Sequence, residues 1–378
     1  MKIEQSYKSK SADKWTFIKK CDQPLNNALV LAFGSRIEIE KPGIYEKIKT
    51  LYPDSNIVLG STAGEILKDE LLSDSITLTA IEFDKSIYEI SRANIEEFNN
   101  DSYKTAENLA AQLRKEGLRH VFVLSEGSLV NGSALIKGLT QNGINSPISG
   151  GLCGDGESFG KTVVGVNAAP KTGEIAIIAL YGDDLEISCS QYCGWDTFGP
   201  IRTITKSEGN LLYEIDHKPA LNLYKKYLGA QSLELPKSAI LYPLYVLPPD
   251  KTIPYVRTVL SVDEKNNTMT LAGDVPQGST VQLMMTSADH IIDGANQAAV
   301  ISMQGRKKDP EVAILISCVG RKMLMDQRTE EELEEVYEIL GNDVSICGFY
   351  SYGEIAPLGE NIESELHNQT MTITLISE

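Results

Sequence analysis

One short pattern occurs twice in the chain, and this internal repeat constrains the fold more than any other feature of the sequence. The first copy is VLGSTAGEI at Val58–Ile66, and the second is CGFYSYGEI at Cys347–Ile355. Each copy runs from apolar residues through a glycine to Gly-Glu-Ile. A repeat of this kind indicates that the chain uses one supersecondary unit more than once.

The residues around the first copy predict the order of elements in the unit. ALVLAFGSR (Ala28–Arg36) is an apolar run that predicts a buried strand, and Pro42 suits the start of a helix. NIVLG predicts a second strand that leads into the first Gly-Glu-Ile. DSITLTAIEF then alternates apolar and polar residues, which is typical of a half-buried strand.

The residues around the second copy repeat this order. VAILISCVGR (Val312–Arg321) predicts a strand, and HNQTMTITLI (His367–Ile376) predicts the closing strand. Between them, Thr329 and Glu332 have the spacing of a capping box at the start of a helix. A looser third copy contains RHVFVLSEG, a short helix, SPISGGLCGDG and EIAIIALYG.

These patterns predict an α/β fold with two lobes of mixed β-sheet and helices, built from internally repeated strand–helix–strand–strand units. A strand–helix–strand unit favours adjacent parallel strands, and the return strand after the glycine turn is expected to be antiparallel. The elements change near residues 201–216, where the KSEGN turn is polar. We therefore predict an N-terminal domain at residues 1–215 and a C-terminal domain at residues 216–378.

Composition limits the possible partners. The net charge of −17 repels phosphate backbones and anionic lipid surfaces, so we expect no nucleic-acid partner. The sequence contains no apolar run of roughly 20 residues and no secretory signal, so we expect no membrane insertion and a cytoplasmic location. The six cysteines and four histidines show no metal-ligand spacing.

A glycine-rich segment resembles a phosphate-binding loop only superficially. GDGESFGKT (Gly154–Thr162) ends in Gly-Lys-Thr, but Asp155 occupies the position where a P-loop requires its first glycine. The residues that follow, VVGVN, predict a strand, whereas a P-loop requires a helix whose amide groups face the phosphate. We therefore predict a tight turn and no nucleotide site.

Polar and aromatic residues gather where the strands of the C-terminal unit end. Arg321 can bind a carboxylate through two hydrogen bonds, and Glu354 can bind an ammonium group. Tyr350 and Tyr352 offer apolar faces with hydroxyl groups at their tips. Ligands of α/β sheets commonly bind at such strand ends. Two hypotheses remain open: Arg321 and Glu354 bind a small ligand, or they pair with each other and hold the loops.

A cysteine-dependent hydrolase is a further alternative. Cys318 or Cys347 would be its nucleophile and His367 its base, because a thiol nucleophile requires a neighbouring base. Nothing in the sequence determines the distances between these residues, and buried cysteines are usually inert.

The chain resembles the FIST family over nearly its whole length, with an N-terminal FIST part at residues 28–216 and a C-terminal part thereafter. The segments that resemble the family are VLGSTAGEI, SGGLCGDG, GWDTFGP, YEIDHKPALNLYKKYLG, SCVGR, GFYSYGEI and HNQT. The resemblance implies a sensory protein of signal transduction that binds a small ligand, an amino acid or a related carboxylate, without catalysis. It also implies a standalone sensor that signals through a separate output protein.

A branch of the same family binds haem and senses nitric oxide, so a haem sensor is the first alternative. His217 and His367 would be the candidate axial ligands. In the preferred interpretation we expect no cofactor, no metal and no catalytic residue. The candidate ligand-binding residues are Arg321, Tyr350, Ser351, Tyr352, Glu354, Cys318, Arg257, His367 and Asn368.

Overall fold

The structure is a computed structural model that describes residues 1–12, 14–359 and 363–378. About 25% of the chain is helical and 41% is in strands, and the sheets are mixed, so the predicted α/β class is confirmed. The strands are β1 Lys2–Ser9, β2 Thr16–Lys19, β3 Leu29–Ser35, β4 Asn56–Thr62, β5 Glu65–Leu67, β6 Glu70–Leu72, β7 Ser75–Glu82, β8 Ile87–Asn94, β9 Leu118–Ser125, β10 Ile148–Leu152, β11 Val164–Val166, β12 Glu174–Tyr181, β13 Glu186–Tyr192, β14 Asp196–Glu208, β15 Leu211–Ile215, β16 Lys218–Pro219, β17 Leu244–Leu247, β18 Tyr255–Arg257, β19 Val259–Asp263, β20 Thr268–Leu271, β21 Thr280–Met285, β22 Val312–Cys318, β23 Ser345–Ser351, β24 Gly353–Pro357, β25 Ser364–His367 and β26 Met371–Ser377. The α-helices are α1 Arg36–Ile39, α2 Ile44–Leu51, α3 Ser102–Gln112, α4 Gly132–Gln141, α5 Ala220–Leu228, α6 Ala288–Met303, α7 Val319–Met325 and α8 Thr329–Leu340, and short 3-10 helices span Ile95–Phe98, Gly229–Glu234, Lys237–Leu241 and Asp326–Arg328.

Three units of the chain have the same local strand order. In each unit the first two strands are parallel and joined through at least one helix, as in β3 and β4, β9 and β10, and β22 and β23. The third strand, β7, β12 or β26, pairs antiparallel with the other edge of the first strand. This arrangement is consistent with the repeated strand–helix–strand–strand unit that the sequence predicts.

The three units exchange strands in a cycle. After its glycine turn, the first unit sends β5 to pair with β23 of the last unit. The last unit sends β24 to pair with β10 of the middle unit, and the middle unit sends β11 to pair with β4 of the first. Each of the three sheets is therefore completed by a strand from another unit, and the chain crosses between sheets at its glycine turns.

Strand pairing crosses the boundary predicted at residues 215 and 216. Strand β5 lies before this boundary, whereas its partner β23 lies after it. The C-terminal strand β24 likewise joins the sheet that contains β9, β10 and β12. The division into residues 1–215 and 216–378 stays a prediction, but these two stretches share their sheets.

A fourth sheet is antiparallel throughout. Its order is β18-β17-β21-β14-β15-β20-β19, and β16 pairs with β15. Helix α5 packs against it and shares a hydrophobic core with it, which includes Leu221, Tyr224, Leu244 and Val246. Strands β19 and β20 form a hairpin in this sheet.

The predicted capping box at the start of α8 is wrong. The residue before the helix is Arg328, which makes no side-chain cap, and the Thr329 hydroxyl donates to the carbonyl of Asp326. Glu332 is fully buried and accepts hydrogen bonds from the Arg321 guanidinium instead. A buried cation requires a nearby carboxylate, and this requirement determines the position of the Glu332 side chain.

The glycine-rich segment before β11 is a turn, in agreement with the sequence prediction. A strand follows it, and the Lys161 ammonium forms an ion pair with Glu40. Among the described residues, no helix is both long enough and apolar enough to cross a lipid bilayer.

Candidate functional site

The three glycine turns meet at one place, where backbone hydrogen bonds join them. Ala63 N donates to Tyr350 O over 2.8 Å, and Tyr350 N donates to Gly64 O over 2.8 Å. Gly154 N donates to Ser61 O over 3.0 Å, which joins the turn of the middle unit to that of the first. We call this region the turn junction, and it comprises residues 61–65, 152–160 and 350–354.

Two glycines allow the turns to approach so closely. A Cβ atom on Gly154 would lie 2.9 Å from Ala63 N, closer than real Cβ atoms lie to a backbone nitrogen. Gly64 has a φ of +147°, which side chains rarely adopt, and a Cβ there would lie 3.0 Å from Lys322 Nζ. Gly154 therefore permits close backbone contact between two units, whereas Gly64 supplies a positive φ and leaves room for the side chains of Leu71, Lys322 and Tyr350.

The first Gly-Glu-Ile places its glutamate in a buried cluster of hydroxyl groups. Thr62 Oγ1 donates to Glu65 Oε1 over 2.5 Å, and Ser75 Oγ donates to Glu65 Oε2 over 2.6 Å. Burial raises the pKa of Glu65 to about 7, although the two hydroxyl groups and the Lys322 charge lower it. This carboxyl therefore holds its proton to near-neutral pH.

The second Gly-Glu-Ile builds the same cluster. Ser351 Oγ donates to Glu354 Oε1 over 2.6 Å, and Thr370 donates to Glu354 Oε2 from both its hydroxyl, over 2.9 Å, and its backbone nitrogen, over 3.1 Å. Burial raises the pKa of Glu354 to about 7 as well. Two equivalent positions of the repeat thus have equivalent carboxyl environments.

The structure pairs Arg321 with Glu332, so the hypothesis that Arg321 pairs with Glu354 is wrong. Arg321 Nε and Nη2 donate to Glu332 Oε2 over 3.0 and 2.7 Å. Nη1 donates to Cys193 O over 2.7 Å and Nη2 to Ile291 O over 2.8 Å. The pair is fully buried, and these bonds compensate the desolvation of the two charges.

The two tyrosines predicted for the site both lie at the turn junction. The Tyr350 side chain is held in place by its hydroxyl, which donates to Glu332 Oε1 over 2.6 Å. The Tyr352 hydroxyl donates to Gly156 O over 3.2 Å, and its ring stacks on Phe159 with the ring centroids 4.9 Å apart. Phe159 is 45% exposed, so this stack forms an apolar wall at the protein surface.

Other predicted ligand contacts lie in separate buried surroundings. Arg257 donates to Asp274 O over 3.0 Å and Leu366 O over 2.9 Å. His367 Nε2 lies 3.1 Å from Ala356 O, and burial lowers the pKa of its imidazole to about 4. The Asn368 side chain accepts from the backbone nitrogen of Thr258 and donates to the carbonyl of His367. Their role in ligand binding stays a prediction.

The surroundings of Cys318 and Cys347 shift the thiol pKa in the direction opposite to the one that a catalytic thiol requires. Burial raises the pKa of the Cys318 thiol well above its ordinary value and that of Cys347 to about 12. A thiol nucleophile needs a lowered pKa, so neither environment favours the hydrolase alternative.

The two candidate haem ligands lie in different surroundings. His217 is exposed, and His367 is buried in the contacts described above. Two cavities in the described part of the chain each hold about 10 Å³, room for a single water molecule. Neither is lined by His217 or His367.

Lys322 lies against the turn junction, although it is not one of the residues predicted from the sequence. Its Nζ donates to Ala63 O over 2.7 Å and lies 5.8 Å from the centre of the Tyr350 ring. Among the described residues, no carboxylate oxygen lies within 4.0 Å of Lys322 Nζ, the distance that defines an ion pair. Burial lowers the pKa of Lys322. The only signal in the sequence was its position directly after Arg321.

Arg36 makes an equivalent approach to the turn of the middle unit, but its charge is neutralised. Its Nε donates to Asp155 Oδ1 over 3.0 Å and its Nη1 to Glu40 Oε2 over 3.0 Å. These carboxylates raise the pKa of Arg36. Arg36 and Lys322 therefore differ, because Arg36 has acidic partners and Lys322 has a backbone carbonyl.

Comparison with known proteins identifies the family. Residues 28–218 match the FIST N domain and residues 220–357 match the FIST C domain. The chain belongs to the FIST family. FIST domains are sensory domains of signal transduction, and the family predicted from the sequence is confirmed.

Two further similarities add little to the FIST assignment. An uncharacterised protein of Methanocaldococcus jannaschii is 21% identical over 371 residues, which cover 86% of this chain and 69% of that protein. A crystal structure of chorismatase covers 100% of this chain and 98% of its own, with 9% identity and a TM-score of 0.34. A likeness at this TM-score supports no argument about fold or function.

Proposed function

We propose that this FIST protein is a cytoplasmic sensor that binds a small carboxylate-bearing metabolite, an amino acid or a related acid, at the turn junction. One observation supports this most directly. The Lys322 ammonium is half-buried and donates to a backbone carbonyl, without a carboxylate partner among the described residues. A desolvated cation of this kind attracts an anionic group, because the interaction is stronger away from bulk water.

The surroundings of Lys322 suit a small organic acid better than a bare anion. The Tyr350 ring lies beside the ammonium, and the stacked rings of Tyr352 and Phe159 lie at the same junction. Ligand sites commonly combine aromatic side chains with a few polar groups that orient the ligand. An amino acid or dicarboxylate offers both a carboxylate and an apolar carbon chain.

The position of the site suits a sensor. The turn junction is where β5, β11 and β24 leave their own units to complete the sheets of their neighbours. A ligand that binds one arrangement of the turns more tightly shifts the population toward it, and the shift reaches all three sheets. A separate output protein would then detect this change.

Thermal unfolding with a panel of L-amino acids and dicarboxylates tests the proposal. A ligand that binds only the folded state raises the Tm, and above its Kd the rise grows with the logarithm of the ligand concentration. The Lys322→Met variant should lose this rise, whereas Lys47→Met, which removes an exposed lysine on α2, should keep it. A panel without any shift, or an equal shift in both variants, would contradict the proposal.

A further inference from the structure

Lys322 has the features of a lysine that reacts with carbonyl groups. A lysine nucleophile must be neutral, and the usual carboxylate partner would hold it as ammonium. Arg36 and Lys161 at the same junction both have such partners, whereas Lys322 Nζ donates to the carbonyl of Ala63. Desolvation is the largest influence on the Lys322 pKa and lowers it, so the neutral amine is more accessible than in an exposed lysine.

The position of the amine is also fixed. Lys322 follows Arg321 on α7, and Arg321 is held by Glu332, Cys193 O and Ile291 O. The side chain then passes along the Tyr350 ring to reach Ala63. A nucleophile that is held in place loses little entropy when it reacts.

A carboxyl that can give up a proton lies in the electrostatic range of this amine. The charges of Glu65 and of the exposed Glu157 raise the pKa of Lys322, against the larger effect of its desolvation. Glu65 faces the hydroxyl groups of Thr62 and Ser75, and it holds its proton to a pH of about 7. Formation of an imine needs such an acid, because a hydroxyl group must leave as water.

We propose that the Lys322 amine captures a 2-oxo acid as a reversible imine, which would make the carbonyl-bearing acids the ligand class of this site. This inference rests on the proposed function, since it places the ligand at the same junction. The amine lone pair adds to the carbonyl carbon, and a C=N bond then replaces the C=O bond. The carbonyl oxygen leaves as water with the two amine protons, so the step needs no oxidant or reductant.

Borohydride trapping of the full chain tests this inference. The protein is incubated with pyruvate or 2-oxoglutarate, reduced with sodium borohydride, and examined by intact mass and peptide mapping. We expect one adduct per chain, located on Lys322. The adduct should be absent with lactate and 2-hydroxyglutarate, which have no carbonyl group, and absent in Lys322→Arg. The matched variant Lys161→Arg should keep it.

The proton donor has its own matched control. Glu65→Gln should slow trapping at pH 7 by at least about tenfold, because general acids accelerate such steps by two to four orders of magnitude. Glu4→Gln changes another buried carboxyl, which accepts a hydrogen bond from Tyr52 outside the turn junction, and should leave the trapping rate unchanged. Equal rates in the two variants would contradict the role of Glu65.

The inference and the proposed function fail in different ways. If no adduct forms, or if adducts are spread over surface lysines and persist in Lys322→Arg, the imine is overturned. If glutamate and 2-oxoglutarate then raise the Tm equally, the junction still binds carboxylates and the proposed function stands. If trapping at Lys322 occurs, the imine is supported whether or not amino acids bind.

Discussion

The two Gly-Glu-Ile turns share a sequence and a carboxyl cluster but differ in what surrounds them. A Cβ on Gly353 would meet the side chains of Leu152 and Leu366, both at 3.1 Å, so this turn is enclosed by the hydrophobic core. A Cβ on Gly64 would lie 3.0 Å from Lys322 Nζ, so that turn lies against a charged group. One copy of the repeat packs against leucine side chains alone, whereas the other lies against both Leu71 and the Lys322 ammonium.

The repeated pattern determines the shared architecture of the two turns, and the neighbouring unit determines which side chains surround each of them. Each glycine turn sends its strand into another unit, so its surroundings come from residues far away in the sequence. Four of the residues that were predicted to bind a ligand lie in the second copy, namely Tyr350, Ser351, Tyr352 and Glu354. The structure places Tyr350 and Tyr352 of that copy at the turn junction, whereas its Glu354 is enclosed beside Ser351 and Thr370.

The largest effect is expected from Glu332, the buried carboxylate that accepts hydrogen bonds from Arg321 and Tyr350. Glu332→Ala leaves the Arg321 guanidinium buried without a carboxylate and removes the hydrogen bond that the Tyr350 hydroxyl donates. The backbone of Tyr350 joins the two turns. We expect the free energy of unfolding in urea to fall by about 3–5 kcal/mol. The neighbouring Glu331 pairs with Arg328 at the surface, and Glu331→Ala should cost less than about 1 kcal/mol. Similar losses in both variants would show that Glu332 does not support the turns.

The pH dependence of stability compares the two carboxyl clusters directly. Both glutamates have a folded-state pKa of about 7, above the ordinary value of 4.5. Through these two carboxyls the folded chain binds more protons than the unfolded chain between these values, so their contribution to stability falls as the pH rises from about 4.5 through 7. The buried imidazoles of His120 and His367, with pKa values of about 3 and about 4, act in the opposite direction below about pH 6.5. Each carboxyl should contribute about 3 kcal/mol to this fall, since one pKa unit corresponds to about 1.4 kcal/mol.

Single and double substitutions separate the two contributions. Relative to the wild type, Glu65→Gln and Glu354→Gln should each remove one downward contribution to the pH dependence of urea unfolding, and the double variant should leave the upward contribution of His120 and His367. Lys322→Met should enlarge the contribution of Glu65 alone to the pH dependence, because the Lys322 charge lowers the pKa of Glu65. A slope that Lys322→Met leaves unchanged would mean that the charge does not act on the first turn.

The smallest expected effect distinguishes the two glycines. Gly64→Ala forces a side chain into a φ of +147° and should cost about 2–3 kcal/mol. Gly353→Ala only requires the leucine side chains to shift and should cost about 1 kcal/mol. Equilibrium unfolding of both variants measures the difference. If Gly353→Ala proved the more damaging, the description of the first turn as the more constrained backbone would be wrong.

The sequence predicted the repeated units because their signals are local. Apolar runs such as those at residues 29–35 and 312–318 predict buried strands, and the expected parallel and antiparallel pairs are present. The cyclic exchange of β5, β11 and β24 could not be predicted, because pairing between strands hundreds of residues apart leaves no local pattern. The local change of elements near residue 216 predicts a division there, because it carries no information about the strands that pair across it.

The candidate site was only partly predictable for a similar reason. Tyr350 and Tyr352 were found because aromatic residues next to a glycine turn are conspicuous. Thr329 and Glu332 matched a capping box, but the buried Arg321 determines where the Glu332 side chain points. Lys322 was missed because a single lysine in a sequence is expected at the surface, and its burial depends on the turn of another unit.

Backbone amide NMR during titration with 2-oxoglutarate tests the central claim most directly. The account predicts that the resonances of residues 63–65 and 322 shift with ligand concentration in the wild-type chain and remain in place in Lys322→Met. The resonances of residues 353–354 and 368–370 should respond much less. If the latter residues shift first and residues 63–65 and 322 do not, the ligand site lies at the second turn and the account is contradicted.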